Sequence, residues 1–509
     1  MRSCTGPATG HGSRRAGGFP MTGVTRAGCL YALILITFFL GHYATTTAAE
    51  RRISYKETLR IALEKNSDIK IARLEEELGE AFINQGHALF DTRFSAGADW
   101  TDDRDKPSST VPGSRNKMGN FFAGFDKKLF LGTDVALRFK SIYKETNSDF
   151  VTLKHYWDPR LELSLSQPIL KNFFGVNDRR ERQRARLQAE ISKRSSKEKI
   201  EAAIQKVANL YREFQAASAN QEIKKEALAD AKRLFTANQG KLKLGIIEKT
   251  DLLASEANVS ARENDLLLAQ NQWQLTHARL KMALQDDSDE TWIAQDSLTF
   301  EEAPFSLKES LQKAFEERKD FKVAEEELKF RNLTHAIKKN LLLPELNLIG
   351  MIASNGLDEE YHRSLDDVAT LDFPTYFIGV TLSLPIGNYE TKSRYQKSRL
   401  EKWEALYKVE KLKNEIVVDI GKKIEMLSTH KLEVKTAEKI TKLLRQKKIA
   451  EEEKFNRGRS SINFVVQSQK EYLDSESQFV LSLLNYKKAL LDLKRSEGEL
   501  LEEILKEVL

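Results

Sequence analysis

Histidine and cysteine are the side chains best suited to metal binding and nucleophilic work, and in this 509-residue chain their spacing supports neither. The eight histidines are scattered, with no His-Glu-x-x-His, no paired ligand spacing, no Gly-x-Ser-x-Gly and no glycine-rich loop that would cradle phosphate. His277, His335 and His430 each stand alone in helical stretches, where an imidazole is expected to be structural or solvated. Both cysteines, Cys4 and Cys29, precede Glu50, so a chain cut there has neither thiol nor disulfide. The expectation is a protein that is not an enzyme and that carries no cofactor and no metal.

The formal charge of +6 looks basic, but four arginines and no acid lie before Glu50, leaving 77 bases against 75 acids in residues 50–509. That balance gives no case for a nucleic-acid partner. Leu30–Leu40 is an apolar run behind Arg26, followed by Thr47-Ala48-Ala49. It is short for a membrane span and has small residues where a signal peptidase cuts, so residues 1–49 are expected to be a signal peptide, with initiation at Met1 or Met21. The alternative is an anchor that is never cut.

The elements that position the remaining residues occur twice. Ser54-Tyr-Lys-Glu-Thr-Leu-Arg-Ile-Ala returns 252 positions later as Ser306-Leu-Lys-Glu-Ser-Leu-Gln-Lys-Ala, which implies one structural half built twice. Ser54 to Phe90 reads as one helix opened by a capping box of Ser54 and Glu57, and Ser306 with Glu309 repeats the box. The period then changes from 3.6 to 2. Leu161, Leu163 and Leu165 face one side with Glu162, Ser164 and Ser166 on the other, and Ile378, Val380 and Leu382 repeat this in the second half. Strands of about ten residues, oily on one side and hydroxyl-rich on the other, behind an export signal, read as transmembrane β-barrel strands. Trp100, Tyr143, Tyr156, Trp157, Phe373 and Tyr376 suit an interfacial aromatic girdle. Thr101–Arg115 and Ala353–Ser364 read as long flexible external loops. Leu131-Gly132-Thr133 reads as a tight turn joining Phe121–Phe130 to Asp134–Tyr143, so the first half offers four strands and the second two. In that hairpin Asp134, Ala136, Arg138 and Lys140 oppose Val135, Leu137 and Phe139.

Long helices follow. Asn177–Lys243 holds one glycine, Gly240, and Tyr389–Arg457 holds Gly421, and neither contains proline. Each run turns at a glycine, Lys243-Leu244-Gly245 and Asn456-Arg457-Gly458, and returns as a second helix, the two returns matching at an offset of 213. The chain thus divides into a signal peptide (1–49), a first repeat (50–305: helix, four strands, helical hairpin 177–287, linker) and a second repeat (306–509: helix, two strands, helical hairpin 389–506). Ser496 to Leu509 is expected to continue as a charged helix, in equatorial packing or as a frayed tail.

An export signal, tandem repeats of helix, strands and helical hairpin, proline-marked strand entrances (Leu343-Pro344 and Gln167-Pro168) and glycine-ended tips resemble the TolC-like outer-membrane efflux and secretion channels. The resemblance covers about nine tenths of the chain. It implies a mainly α fold with membrane β: tandem helical hairpins forming a periplasmic α-barrel, plus strands of a shared transmembrane β-barrel in a homotrimer. The location implied is the outer membrane of a diderm bacterium, in outer-membrane lipid and extending into the periplasm. The function implied is a passive exit duct for a tripartite efflux pump or a type I secretion system, working with a periplasmic adaptor and an inner-membrane transporter. By position Lys243, Leu244, Gly245, Asn456, Arg457 and Gly458 become the adaptor contacts, although such residues are also the caps any αα-hairpin needs.

The resemblance also implies a periplasmic gate, to which Asp251, Arg457, Arg459, Phe464 and Gln467 are assigned. Asp251 matches an acidic gate position, with Arg459, or Arg457 of a neighbouring copy, as its partner. Phe464 and Gln467 stand where some members carry aspartates, so the narrow ring is expected to be apolar or neutral. Two membrane-spanning strands in Phe121–Tyr143 would bring each copy to six and a trimer to eighteen, where the family's usual number is twelve; the alternative is an extension outside the bilayer. A secreted or periplasmic coiled-coil scaffold or adhesin is the rival reading. The cargo, whether drug, metal or protein, is not legible.

Overall fold

The computed structural model describes residues 50–508 apart from positions 107, 109, 110 and 112. The expected signal peptide and both cysteines lie outside these residues. Glu50, Arg51 and residues 289–291 form one unit, in which Arg51 pairs with Glu290 at 3.6 Å. The elements below belong mainly to the other unit, Arg52–Ser288 and Trp292–Leu509.

In chain order the elements are β1 (Glu50–Ile53), α1 (Tyr55–Lys65), α2 (Ser67–His87), β2 (Thr92–Asp103), β3 (Asn116–Lys128), β4 (Asp134–Thr146), β5 (His155–Pro168), α3 (Val176–Lys243) and α4 (Lys249–Leu284). The second series is β6 (Thr291–Ala294), α5 (Leu307–Glu317), α6 (Lys319–Asn340), β7 (Glu345–Asn355), α7 (Tyr361–Thr370), β8 (Pro374–Ser383), α8 (Tyr389–Asn456), α9 (Ile462–Glu497) and α10 (Leu500–Val508).

The helix expected from Ser54 to Phe90 is two helices. Asn66 leaves the helical region (φ −59°, ψ 129°), accepts from Ile69 N at 3.2 Å and donates to Ala283 O at 2.7 Å, so it ends α1 and caps α2. Arg318, 252 positions later, breaks the second copy in the same way between α5 and α6 (φ −64°, ψ 120°). At the start of each pair the copies differ. Ser54 Oγ accepts from Glu57 N at 3.2 Å, whereas Ser306 makes no side-chain cap bond.

The 68 residues of α3 and the 68 of α8 each give a rod of roughly 100 Å. Toward the sheet, α3 lies between α2 and α6, with α8 beyond α6; toward the tips it lies between α4 and α9, with α8 beyond α9. Ser192 and Ser196 of α3 donate to the carbonyls of Glu75 and Ala72 in α2, and Lys232 pairs with Glu263 of α4 at 2.9 Å.

The short elements gather round the middle of these rods. Leu59, Ile69, Ile204, Leu500, Leu501 and Ile504 form one core, and Ile53, Tyr211, Phe214, Leu280 and Trp292 another. The expected continuous C-terminal helix is a break and a new helix instead. Gly498 (φ 81°) closes α9, and a side chain there would overlap the backbone of Glu317 and Arg318. α10 then buries Leu500, Leu501, Ile504 and Val508, each worth about 1.5–3 kcal/mol, which is why it does not fray. At this junction Glu201 is buried, accepts from Leu501 N at 3.2 Å and pairs with Lys319 at 3.5 Å. Burial pushes its carboxyl above the ordinary range, with the Lys319 ammonium opposing.

Other boundaries differ from the sequence reading as well. Ala353–Asn355 belong to β7, and the last four residues of the expected loop, Tyr361 to Ser364, begin α7. Thr101–Asp103 extend β2. Pro344 precedes β7 and marks its entrance, but Pro168 is the last residue of β5 and marks an exit. The small sheet of β1 and β6 had no sequence signal, since such short strands cannot establish a period.

Candidate functional site: sheet faces and hairpin tips

The six long strands form one antiparallel sheet in the order β2-β3-β4-β5-β7-β8. Its register sorts side chains by face. Phe94, Phe125, Leu137, Leu163, Ile352 and Tyr376 make one row across all six strands. The rows two positions to either side on the same face include Val135, Leu165, Ile378, Phe139 and Leu161. The alternate rows carry Arg93, Asp126, Arg138, Glu162 and Thr375, with Arg138 paired to Asp126 at 3.1 Å and Lys128 to Asp134 at 3.6 Å. One face is therefore mainly apolar and solvent-exposed, with Lys127 near one end, and the other carries most of the charged side chains and their ion pairs together with Phe122, Met351 and Phe377. Among the described residues no helix is long and apolar enough to cross a membrane.

Part of the expected aromatic girdle forms. Trp100, Tyr143 and Trp157 lie in a single row of the apolar face, with Trp100 stacked on Tyr143 at 5.5 Å and Tyr143 at 4.9 Å from Trp157. Gly119 sits between Trp100 and Tyr143 in that row and leaves room for the indole to reach across β3. Tyr361 of α7 extends the cluster from outside the sheet, at 4.9 Å from Trp157. Tyr156 alternates to the polar face opposite Lys144, and Tyr376 stands in the middle apolar row rather than at an end.

The two hairpin tips are the same device at an offset of 213. Gly245 (φ 68°) bonds back to Leu242 O and Ile246 N to Lys241 O; Gly458 (φ 71°) bonds back to Phe455 O and Arg459 N to Lys454 O. These are Schellman closures, which need a left-handed residue and so glycine. Glu248 and Asp251 then form a capping box at the start of α4, the Asp251 carboxylate accepting from Glu248 N at 3.4 Å. Asp251 is thereby engaged within its own tip. Arg457 faces Glu453 at 3.6 Å, and Gln467 donates to Glu471, which Lys447 also holds at 2.6 Å.

The fold brings the tips together. Asp251, Asn456, Gly458, Arg459 and Phe464 line one open cleft of about 860 Å³ with Ile246. Lys243, Leu244 and Gly245 are exposed in the first tip, and Leu244, Ile246 and Phe464 are left largely exposed. Sequence reasoning missed what holds the hairpins side by side. The Lys241 ammonium sits 4.2 Å over the Phe455 ring, Leu234 and Ala254 pack on Phe455, Ile462 and Val465, and Lys448 of α8 reaches Asp230 of α3 at 2.6 Å. These partners belong to opposite halves of the chain and share no motif.

Residues 141–284 match the model of the outer membrane efflux protein family. Sequence comparison with curated proteins finds no match. Among solved structures, the CmeC outer membrane channel of Campylobacter jejuni is similar at 17% identity, with 89% of each chain covered and a TM-score of 0.65. The outer membrane protein VceC of Vibrio cholerae superposes at 15% identity over 87% of this chain and 96% of its own, with a TM-score of 0.63. The open state of the MtrE outer membrane channel of Neisseria gonorrhoeae gives 15% identity, 87% and 88% coverage and a TM-score of 0.65. With an apolar-faced sheet set on paired helical hairpins and a match to the outer membrane efflux protein family in residues 141–284, the chain shares the fold of these outer membrane channels along most of its length.

Proposed function

We propose that three copies of this chain close one membrane barrel and one helical tunnel, making the passive exit duct of a tripartite efflux pump or type I secretion system. The observation that carries this reading is the sheet: one continuous apolar face ending in two open edges, β2 and β8. Unpaired backbone groups are untenable in hydrocarbon, so the edges must be closed by further copies. The helices support the same assembly, since Ile71, Leu74 and Leu78 of α2 and Leu400, Trp403 and Tyr407 of α8 stay exposed on the two outer rods of the layer.

The gate is assigned to the hairpin tips, with Asp251, Arg459 and Phe464 in the cleft and Arg457 and Gln467 beside it. Lys243, Leu244, Gly245, Asn456, Arg457 and Gly458 are assigned to the adaptor, with exposed Leu244 as the apolar anchor. No chemistry is assigned to the duct; the energy for transport comes from the inner-membrane transporter.

Cell fractionation, crosslinking and planar-bilayer recording test the reading together. The expected result is a crosslinked trimer in the outer-membrane fraction that conducts ions when reconstituted. A soluble periplasmic protein without conductance would refute it and favour a scaffold.

A further inference from the structure

We infer that the β3–β4 hairpin is part of the membrane wall, so that each chain supplies six membrane strands and a three-copy barrel closes with eighteen. The inference rests on the channel reading above and adds the size of its pore.

The strand order places the hairpin inside the sheet. β2 and β5 do not pair with each other; β3 and β4 lie between them, bonded along nearly their whole lengths. Thr92 faces Lys127 at one end of the β2–β3 ladder and Asp103 faces Asn116 at the other; β4 and β5 run from Asp134 opposite Ser166 to Glu145 opposite His155. A hairpin folded above or below the bilayer would leave the facing edges of β2 and β5 bare in lipid. If those two strands stand in the wall, β3 and β4 stand there at the same height.

The chemistry of both faces is continuous across the hairpin. Phe125 and Leu137 complete the apolar row between Phe94 and Leu163, and Asp126 and Arg138 pair on the polar face between Arg93 and Glu162. The Trp100–Tyr143–Trp157 band also runs through the hairpin. From Thr92 to Trp100 the rows span eight steps along β2, or roughly 26 Å of strand and about 20 Å of height at a tilt near 40°, close to the apolar band such barrels present. Connections fit the same orientation. The β3–β4 turn at the helical end is short, 129–133, and the links at the other end are longer, 104–115 between β2 and β3 and 356–373 between β7 and β8.

Six is an even number, so β2 and β8 run in opposite directions and can pair antiparallel between copies. Strands about 4.8 Å apart and tilted by about 40° give a backbone diameter of roughly 36 Å for eighteen strands and roughly 24 Å for twelve. The hairpin therefore widens the outer-membrane pore to the range in which barrels hold an open aqueous channel.

The test places single cysteines in the full-length chain with Cys4 and Cys29 replaced by serine, reconstituted in lipid vesicles and probed with a membrane-impermeant maleimide. Asp126→Cys and Arg138→Cys are expected to label, and Phe125→Cys and Leu137→Cys to be unlabelled until the protein is unfolded. Leu163→Cys and Ile352→Cys, on strands outside the hairpin, report on the channel reading itself. Labelling of Phe125→Cys and Leu137→Cys while Leu163→Cys and Ile352→Cys stay protected overturns the six-strand wall and leaves the channel intact. Labelling of all four overturns both. Native mass spectrometry of the same preparations is expected to give three copies; any other number overturns the count of eighteen.

Discussion

The ion pair between Asp230 and Lys448 ties the first hairpin to the second, and cutting it should loosen the tip end of the hairpins. Lys448 Nζ stands 2.6 Å from Asp230 Oδ2, with side chains 16% and 24% exposed. A charge-assisted hydrogen bond contributes about 1.5–3 kcal/mol when shielded, and partial solvation here reduces that to roughly 1–1.5 kcal/mol per copy. If hairpin separation opens the duct and three copies move together, about 3–4.5 kcal/mol is removed from the closed state, a shift of two to three orders of magnitude in the open-to-closed ratio. The assay is single-channel recording of Asp230→Asn, Lys448→Gln and the double variant, which should show no more than the larger single effect. Asp230 also contacts Arg233, one turn along its own helix. Arg233→Gln is therefore the control, since it leaves the link between hairpins in place. Open fractions within twofold of the parent for both Asp230→Asn and Lys448→Gln, or an equal rise for Arg233→Gln, would show that this ion pair does not hold the duct closed.

Glu201 and Lys319 form the most buried ion pair described; Glu201→Leu or Lys319→Met should each cost about 3–5 kcal/mol, with the double variant losing less, as thermal unfolding of the solubilised protein would record. His277 Nε2 accepts from Trp292 N at 3.1 Å, and burial first, then Lys281, holds its pKa below 6.5. Below that value the unfolded chain takes up a proton that the folded chain refuses. Stability is thus full above about pH 6.5 and falls with acidification toward the depressed value, a slope that His277→Gln should flatten in melting curves. Phe464 is exposed at the tip cleft and Glu471 is held by Lys447. Block by trivalent cations should accordingly be weak, and collapse of bilayer conductance at micromolar concentration would contradict a neutral ring.

How legible each feature was depends on the range of the interaction behind it. Leu161, Leu163 and Leu165 alternate with polar residues over a few positions, so their shared face is written in consecutive residues. The tips are equally local: Gly245 and Gly458 must be left-handed to close a helix, and the constant offset between the two copies carried the match. The break at Asn66 was less visible because the helical period continues on both sides of it. What interrupts the helix is a cap to Ile69 and a bond to Ala283, which lies at the far end of the first repeat.

The duplication is written in the linear sequence as a constant offset between two stretches, and the periods and glycine turns depend on residues within one helical turn or one strand. That β3 and β4 stand between β2 and β5, that Asp251 caps its own helix and that Asp230 meets Lys448 is visible in the folded chain alone. Strand order, the choice among charged partners and the packing of α10 are set by which surfaces meet after the chain has folded back on itself. A one-dimensional pattern records which face is apolar, but it holds no term for the neighbour that covers it.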